Sequence, residues 1–365
     1  LTNNRKSRTI TNNKEKVPQM KFLENIEEVT GNQYAARGKT INDDRETIDT
    51  GSYILNALLS GSIFGGAASN GVTAFAGEEA TGKTFLVLSA VKRFLNTHDD
   101  GAVIYFESEG AIDSKMLEER GIDISRVYVI PVVTIQDFRT QASKVLSEYE
   151  SEKERKPMMF VLDSLGMLST TKEVEDITSG SDKRDMTRAQ LIRASFRALT
   201  LKLAVLNVPL FITNHTYTVV GSMFPQKEVA GGGGLKFAAS TIVMLSKKKE
   251  KDGTDIVGNV IHAKTYKSRL SKENQQVDVR LFYESGLDRY YGLLELAERF
   301  DIIKKMGSRY ILPDGRKEYA KTILKKPDEY FTDELLMQID DAARQSFTYG
   351  QGTDTNFDDD TDTEV

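Results

Sequence analysis

Three short stretches hold residue types and spacings suited to phosphate chemistry. "GEEATGKT", Gly77–Thr84, has the form G-x-x-x-x-G-K-[ST] and lies between an apolar run (Val72–Ala76) and a helical stretch (Phe85–Leu95). Gly77 and Gly82 let the backbone curl around Glu78, Glu79, Ala80 and Thr81, so that its N–H groups face phosphate oxygens. The helix N-terminus adds partial positive charge. Lys83 is placed to reach the β- and γ-phosphates of a nucleoside triphosphate, and the Thr84 hydroxyl to reach Mg2+. "MMFVLDS" is a strand ending in Asp163, the carboxylate such a loop needs to hold Mg2+ through water, with Ser164 beside it. "VIYFESEG" ends another strand in Glu107 and Glu109, two apart and on one face, either of which could be the general base that activates water.

A fourth stretch raises a different question. "FITNHTYTVV" turns from apolar Leu210–Ile212 into Asn214, His215 and Thr216, and the segment that follows ends in four glycines. The chain has three histidines, and one of them stands where a buried strand is expected to stop.

These residues need a scaffold that gathers strand ends. Apolar runs recur at Val72–Ala76, Val103–Phe106, Val127–Pro131, Met158–Leu162, Leu210–Thr213 and Ile242–Leu245. Helical stretches lie between several of them, at Thr84–Leu95, Ile135–Glu148 and Met186–Leu206. Short continuous apolar strands alternating with helices predict a doubly wound, mainly parallel α/β sheet covered on both faces. Residues 1–45 read as an arm and 46–290 as the core. Residues 291–349 read as a small α+β C-terminal domain, with a helix over "GLLELAERFDIIKKMG", a hairpin at Pro313–Asp314–Gly315 and a helix over Thr332–Arg344. The end, 350–365, is acidic and reads as a solvated tail.

Composition narrows the class. With no cysteine there is no disulfide and no cysteine-ligated metal, and three scattered histidines speak against a histidine-rich metal site. No apolar run approaches the ~18 residues of a membrane span, and the polar, basic start has no apolar signal core. A cytoplasmic protein without a membrane partner is the expectation. A net charge of −5 does not describe a uniformly basic nucleic-acid binder, although Arg5, Lys6, Arg8, Lys14 and Lys16 make the head basic.

The phosphate loop, "FESEGAID", "FVLDSLGML", "ITNHT" and "GGGGLKFAAS" follow one another as in the RecA-type recombinases. The resemblance covers roughly residues 46–345, and "DSLGMLSTTKEVED" with "NHTY" is similar to the branch from T4-like bacteriophages. It implies a RecA-like P-loop ATPase core, ATP and Mg2+ as cofactors, and self-association into helical filaments on single-stranded DNA that pair with homologous duplex DNA. It also implies a single-strand-binding protein and a recombination mediator as partners, in the cytoplasm of a bacterial host.

By this resemblance Glu109 is the catalytic glutamate, and Asp113 caps the adenine amino group. Met116 stands where many relatives stack a tyrosine on the base, which loosens the preference for ATP. Lys267 and Arg269 in "YKSRL" match the basic pair that reaches the next protomer's γ-phosphate; without the family they read as a solvent-facing strand end. His215 takes the place where most relatives carry glutamine, facing the γ-phosphate where the DNA loop departs.

Two loops are expected to line the filament axis. The first, residues 171–188, offers Lys183, Arg184 and Arg188 to DNA phosphates, although it also reads as a solvated loop. The second, residues 216–234, offers Tyr217, Val220, Phe224 and Lys227, with Val220 as a wedge between bases and Gly231–Gly234 as a hinge. The N-terminal arm, anchored by Met20, Phe22 and Leu23, is expected to pack on a neighbouring protomer. Two other functions share these motifs: a ring helicase of the same fold, and a mediator that binds ATP without hydrolysing it.

Overall fold

The computed structural model describes residues 29–32, 34, 46–180, 187–218 and 227–350. The chain divides into two units, residues 1–44 and 45–365. Within the first, Tyr34 N–H donates to Asn32 Oδ1 at 3.0 Å; Met20, Phe22 and Leu23 lie outside the described residues. The acidic tail from 351 onward does too.

The second unit opens with β1 (Thr47–Ile48), α1 (Tyr53–Ser60) and β2 (Ala67–Ala68). Its central run is β3 (Val72–Gly77), α2 (Lys83–Thr97), β4 (Ala102–Glu107), α3 (Ser114–Glu119), β5 (Val127–Pro131) and α4 (Ile135–Ser151). There follow β6 (Met158–Asp163), α5 (Thr171–Ser179), α6 (Arg188–Val205), β7 (Leu210–Thr218), β8 (Lys227–Val229) and α7 (Gly233–Ala238). The sheet is completed by β9 (Thr241–Asp252), β10 (Asp255–Ser268), β11 (Gln276–Phe282) and β12 (Gly286–Leu287).

Its order is β12-β11-β10-β9-β3-β7-β6-β4-β5, with β8 on β7. From β9 to β5 the pairing is parallel. From β9 to β12 it is antiparallel, so the expected parallel sheet carries an antiparallel extension.

Side chains alternate between two covered faces. Val103, Tyr105, Met159, Val161, Phe75 and Phe211 point into one cluster with α1 and α2. Phe106 and Phe160 point the other way, where Phe106 meets Phe138 of α4 edge-on at 5.1 Å and Phe138 lies 6.4 Å from Phe196 of α6. Each such buried aromatic contributes roughly 1.5–3 kcal/mol, against 0–1 for an exposed ion pair, so alternation fixes which face each strand residue takes. Helix starts are set locally: Thr134 and Asp137 form a capping box on α4, and Thr170 and Glu173 one on α5.

The C-terminal stretch differs from expectation at one point. The helix predicted over Gly292–Gly307 ends at Arg299 (α8, Leu293–Arg299), and Lys304–Met306 is a strand, β13. Asp301 takes a left-handed conformation, φ 56°, which stops the helix. The hairpin is present as β14 (Arg309–Ile311) and β15 (Lys317–Tyr319). After α9 (Ala320–Lys325) and α10 (Pro327–Tyr330), α11 (Asp333–Phe347) is capped by Thr332. Leu293, Ile323, Leu335 and Ile339 join the same cluster as α1. Asp340 accepts from the Ser62 hydroxyl at 2.6 Å and from Ile63 N–H at 2.7 Å.

Candidate active site

The C-terminal ends of β3, β4, β6 and β7 lie side by side. Gly77 is level with His215, Glu107 with Asp163, and Leu162 with Ile212. This is where the sequence places its phosphate loop, acid and base. Gly82 has φ 90°, a left-handed backbone that favours glycine, and a Cβ there would stand 2.7 Å from the tip of Ile261. Ala80 also takes a left-handed φ of 55°. The Thr81 hydroxyl donates to Glu78 O at 2.8 Å and closes the loop.

Lys83 is buried and bends back on this loop, donating from Nζ to Glu78 O at 2.8 Å and Gly77 O at 3.2 Å. Burial pulls its ammonium below the ordinary lysine range, and Glu109, Asp163 and Glu79 oppose the shift. A buried cation resting on backbone carbonyls fits a triphosphate that would replace them.

Asp163 has a dense set of donors. Thr84 Oγ1 donates to its Oδ2 at 2.8 Å, Tyr105 OH to the same oxygen at 2.7 Å, and Thr213 Oγ1 to Oδ1. One hydroxyl and one carboxylate beside a phosphate cradle suit Mg2+, which keeps most of its ligands as water and phosphate oxygen. Among the described residues no group of three or more His, Cys, Asp or Glu is placed to hold a metal by itself.

Spacing leaves Glu107 and Glu109 equivalent, and their surroundings separate them. The Glu107 carboxylate accepts from the N–H groups of Glu109 (2.9 Å), Gly110 (2.9 Å) and Ala111 (3.1 Å). It is a buried cap for the turn after β4. Glu109 lies within that turn, and its Oε1 accepts from Ser164 Oγ at 2.5 Å and lies 3.2 Å from His215 Nε2. A carboxylate only accepts, so this contact calls for the tautomer with the proton on Nε2. Ser108 braces the arrangement, accepting from Ser164 N–H at 2.8 Å and donating to Ser164 O at 2.9 Å.

The strand carrying His215 does not stop there. β7 runs on to Thr218, and beyond His215 its partner changes from β3 to β8, with Thr216 opposite Val229 and Tyr217 opposite Glu228. The expected irregular loop is therefore a two-stranded ribbon at its base. Ala230 seals it, donating N–H to His215 O at 2.9 Å and accepting from Asn214 Nδ2 at 2.6 Å. The hinge expected at Gly231–Gly234 is shorter. Gly233 and Gly234 already belong to α7, and a Cβ at Gly234 would meet Arg193 N at 2.8 Å.

The other expected residues are spread. Asp113 caps α3, accepting from Met116 N–H at 2.7 Å, and Met116 packs against the core. Arg188 turns inward, donating from Nη2 to Gly166 O at 2.7 Å with its Nε buried, so the guanidinium expected to reach DNA phosphates is engaged on the chain's own backbone. The Tyr217 hydroxyl donates to Glu228 at 3.1 Å, and burial together with that carboxylate raises its pKa. Lys183, Arg184, Val220 and Phe224 lie outside the described residues, and of Lys227 only the backbone is described.

Lys267 and Arg269 are far along the sheet from Gly77. Ser268 pairs with Thr241 and Thr241 with Thr73, four residues before Gly77, or about 13 Å along the strand. There Lys267 Nζ donates to Lys236 O and Arg269 Nη2 to Phe237 O, at the C-terminal end of α7. Burial, with Arg269 adding to it, lowers the Lys267 pKa.

Sequence reasoning missed Tyr105, Ser108 and Thr213. For Tyr105 and Thr213 the signal was a hydroxyl in an otherwise apolar strand, and for Ser108 a hydroxyl between two glutamates at a strand end.

A family model described as the RecA N-terminal domain matches residues 19–288. The "Recombination and repair protein" of Enterobacteria phage T4 is 30% identical over 263 residues, 72% of this chain and 66% of that protein. The chain thus spans just under two thirds of that relative's length. "Protein RecA" of Malacoplasma penetrans is 26% identical over 327 residues, 87% of this chain and 94% of that protein. "Protein RecA" of Lactobacillus johnsonii is 28% identical over 317 residues, 84% of each.

Proposed function

The chain belongs to the RecA family, and from that premise we propose that it is an ATP- and single-stranded-DNA-dependent recombinase. It forms helical filaments on DNA and catalyses homologous pairing and strand exchange. The observation that carries this is the contact between Glu109 and His215, because His215 belongs to the strand that becomes the β7–β8 ribbon. One hydrogen bond joins the base of the ATPase to the element expected to hold DNA.

In this mechanism Lys83 leaves the carbonyls of Gly77 and Glu78 for the terminal phosphates. Thr84 and Asp163 would hold Mg2+, Asp163 through water. ATP and Mg2+, when bound, supply the transferable phosphoryl group and neutralise charge on its oxygens. Glu109 orients a water and takes its proton. Ser164 keeps the Glu109 carboxylate aimed, and Glu107 keeps the turn that carries it. His215 exchanges its Glu109 partner for the γ-phosphate, and the ribbon follows.

Lys267 and Arg269 serve a neighbouring protomer, stabilising charge on the transferring group. Their level on the sheet, remote from their own Gly77, supports action in trans. Hydrolysis then depends on filament assembly. The ribbon and the loop that carries Lys183 and Arg184 contact DNA, with Val220 and Phe224 between bases. A single-strand-binding protein and a mediator complete the system in the host cytoplasm. Among the described residues no helix is long and apolar enough to cross a membrane.

The test is ATP turnover with and without single-stranded DNA, run beside joint-molecule formation between homologous DNAs. DNA-stimulated turnover with joint molecules is the expected result. Unwinding without pairing would point to a ring helicase, and binding without turnover to a non-catalytic mediator.

A further inference from the structure

We propose that Tyr105 and Thr213 are positioning residues for the divalent-metal site, fixing Asp163 so that it holds the ion through water. The inference rests on the nucleotide-site reading above and adds two residues to it. Asp163 ends β6, the strand between β4 and β7 in the sheet. Alternation puts Tyr105, Asp163 and Thr213 on one face, the face covered by α2. Each flanking strand sends one hydroxyl inward: Tyr105 OH to Oδ2 at 2.7 Å, and Thr213 Oγ1 to Oδ1.

Both side chains are fully buried, at 0% exposure. The Tyr105 ring fills core beside Val103 and Val161, a volume that phenylalanine would fill equally well. Its hydroxyl has Asp163 as partner, and a buried hydroxyl without one is costly. The oxygen is therefore of use to the carboxylate and not to packing. With Thr84 as third donor, three hydroxyls occupy three of the roughly four lone-pair positions of a carboxylate. What is left suits one metal-bound water. A carboxylate gripped from both neighbouring strands also cannot rotate toward direct contact with the ion.

The experiment titrates Mn2+, followed by electron paramagnetic resonance, into protein saturated with a non-hydrolysable ATP analogue. Tyr105→Phe and Thr213→Val are compared with wild type, and Thr213→Ser serves as the conservative rescue. Binding of the analogue in EDTA is measured in parallel. The expected result is Mn2+ affinity weakened roughly 10-fold in Tyr105→Phe and Thr213→Val, restored in Thr213→Ser, with metal-free analogue binding unchanged. A purely structural role would lower both affinities together and overturn the proposal. Unchanged Mn2+ affinity in both variants would overturn it while leaving the nucleotide site standing. Failure of wild type to bind Mn2+ with the analogue would overturn both.

Discussion

His215 Nε2 lies 3.2 Å from Glu109 Oε1, joining a residue in the middle of β7 to the carboxylate that follows β4. The same oxygen takes the Ser164 hydroxyl. On the proposed reading, this contact ties the base to the sensor, and a γ-phosphate would have to compete for the imidazole. His215→Ala is expected to keep ATP binding and lose ATP-dependent tightening on single-stranded DNA. Fluorescence anisotropy of a labelled oligonucleotide, with and without a non-hydrolysable analogue, decides it. Normal tightening in the variant would remove the sensor role.

Glu109 and Glu107 should fail in different ways. Glu109→Gln is expected to lower ATP turnover by about 100-fold or more, with nucleotide affinity retained. Glu107→Ala leaves three N–H groups without their acceptor and should cost about 1–3 kcal/mol of stability. Urea unfolding and steady-state hydrolysis on both variants separate the roles. A fully stable Glu107→Ala protein would mean the cap is dispensable.

If Lys267 and Arg269 act on a neighbour, two defective proteins can complement each other. Arg269→Ala and Lys83→Ala are each expected to be inactive in DNA-stimulated hydrolysis. Mixed in equal amounts they should recover a fraction of wild-type turnover, since some junctions pair an intact Lys83 with an intact Arg269. A mixture as inactive as its components would place the pair in cis.

Alkaline stability should depend on Tyr290. Its ring stacks on Phe331 at 5.2 Å, and its hydroxyl donates to Asp328 at 2.9 Å. Burial, then Asp328, pushes its pKa up to about 12 from 10.0. The folded state therefore keeps a proton that the unfolded chain loses first. The stabilisation is complete below pH 10 and fades as pH rises toward 12. Tyr290→Phe should show a shallower loss of unfolding midpoint between pH 9 and pH 11 than wild type, and parallel curves would exclude this linkage.

What could be read from sequence was what depends on near neighbours. The phosphate loop, its helix and the strand ending in Asp163 are contiguous signals, and the structure puts them together. Glu107 and Glu109 could not be told apart, because the difference is which backbone N–H groups fold back onto which carboxylate. The strand through His215 looked finished at Thr213 because its apolar pattern ends there. It continues because β8, from another part of the chain, supplies new hydrogen bonds. The same cause hid the length of β9. Lys247, Lys248, Lys249 and Lys251 have no apolar pattern, yet they pair along β10. The Tyr105 and Thr213 hydroxyls on Asp163 come from two other strands, and only the sheet order makes them neighbours.

The separation of Ser268 from Gly77 along the sheet would have a consequence for a filament if Lys267 and Arg269 complete a neighbour's site as proposed. Each copy would carry the loop of one site and the cations of another, so a row of n copies would have n − 1 finished junctions. One terminal copy would hold a loop without its completing cations. Nucleotide at that end would then outlast nucleotide in the interior, and growth and loss would acquire a direction from where two basic residues sit on one strand.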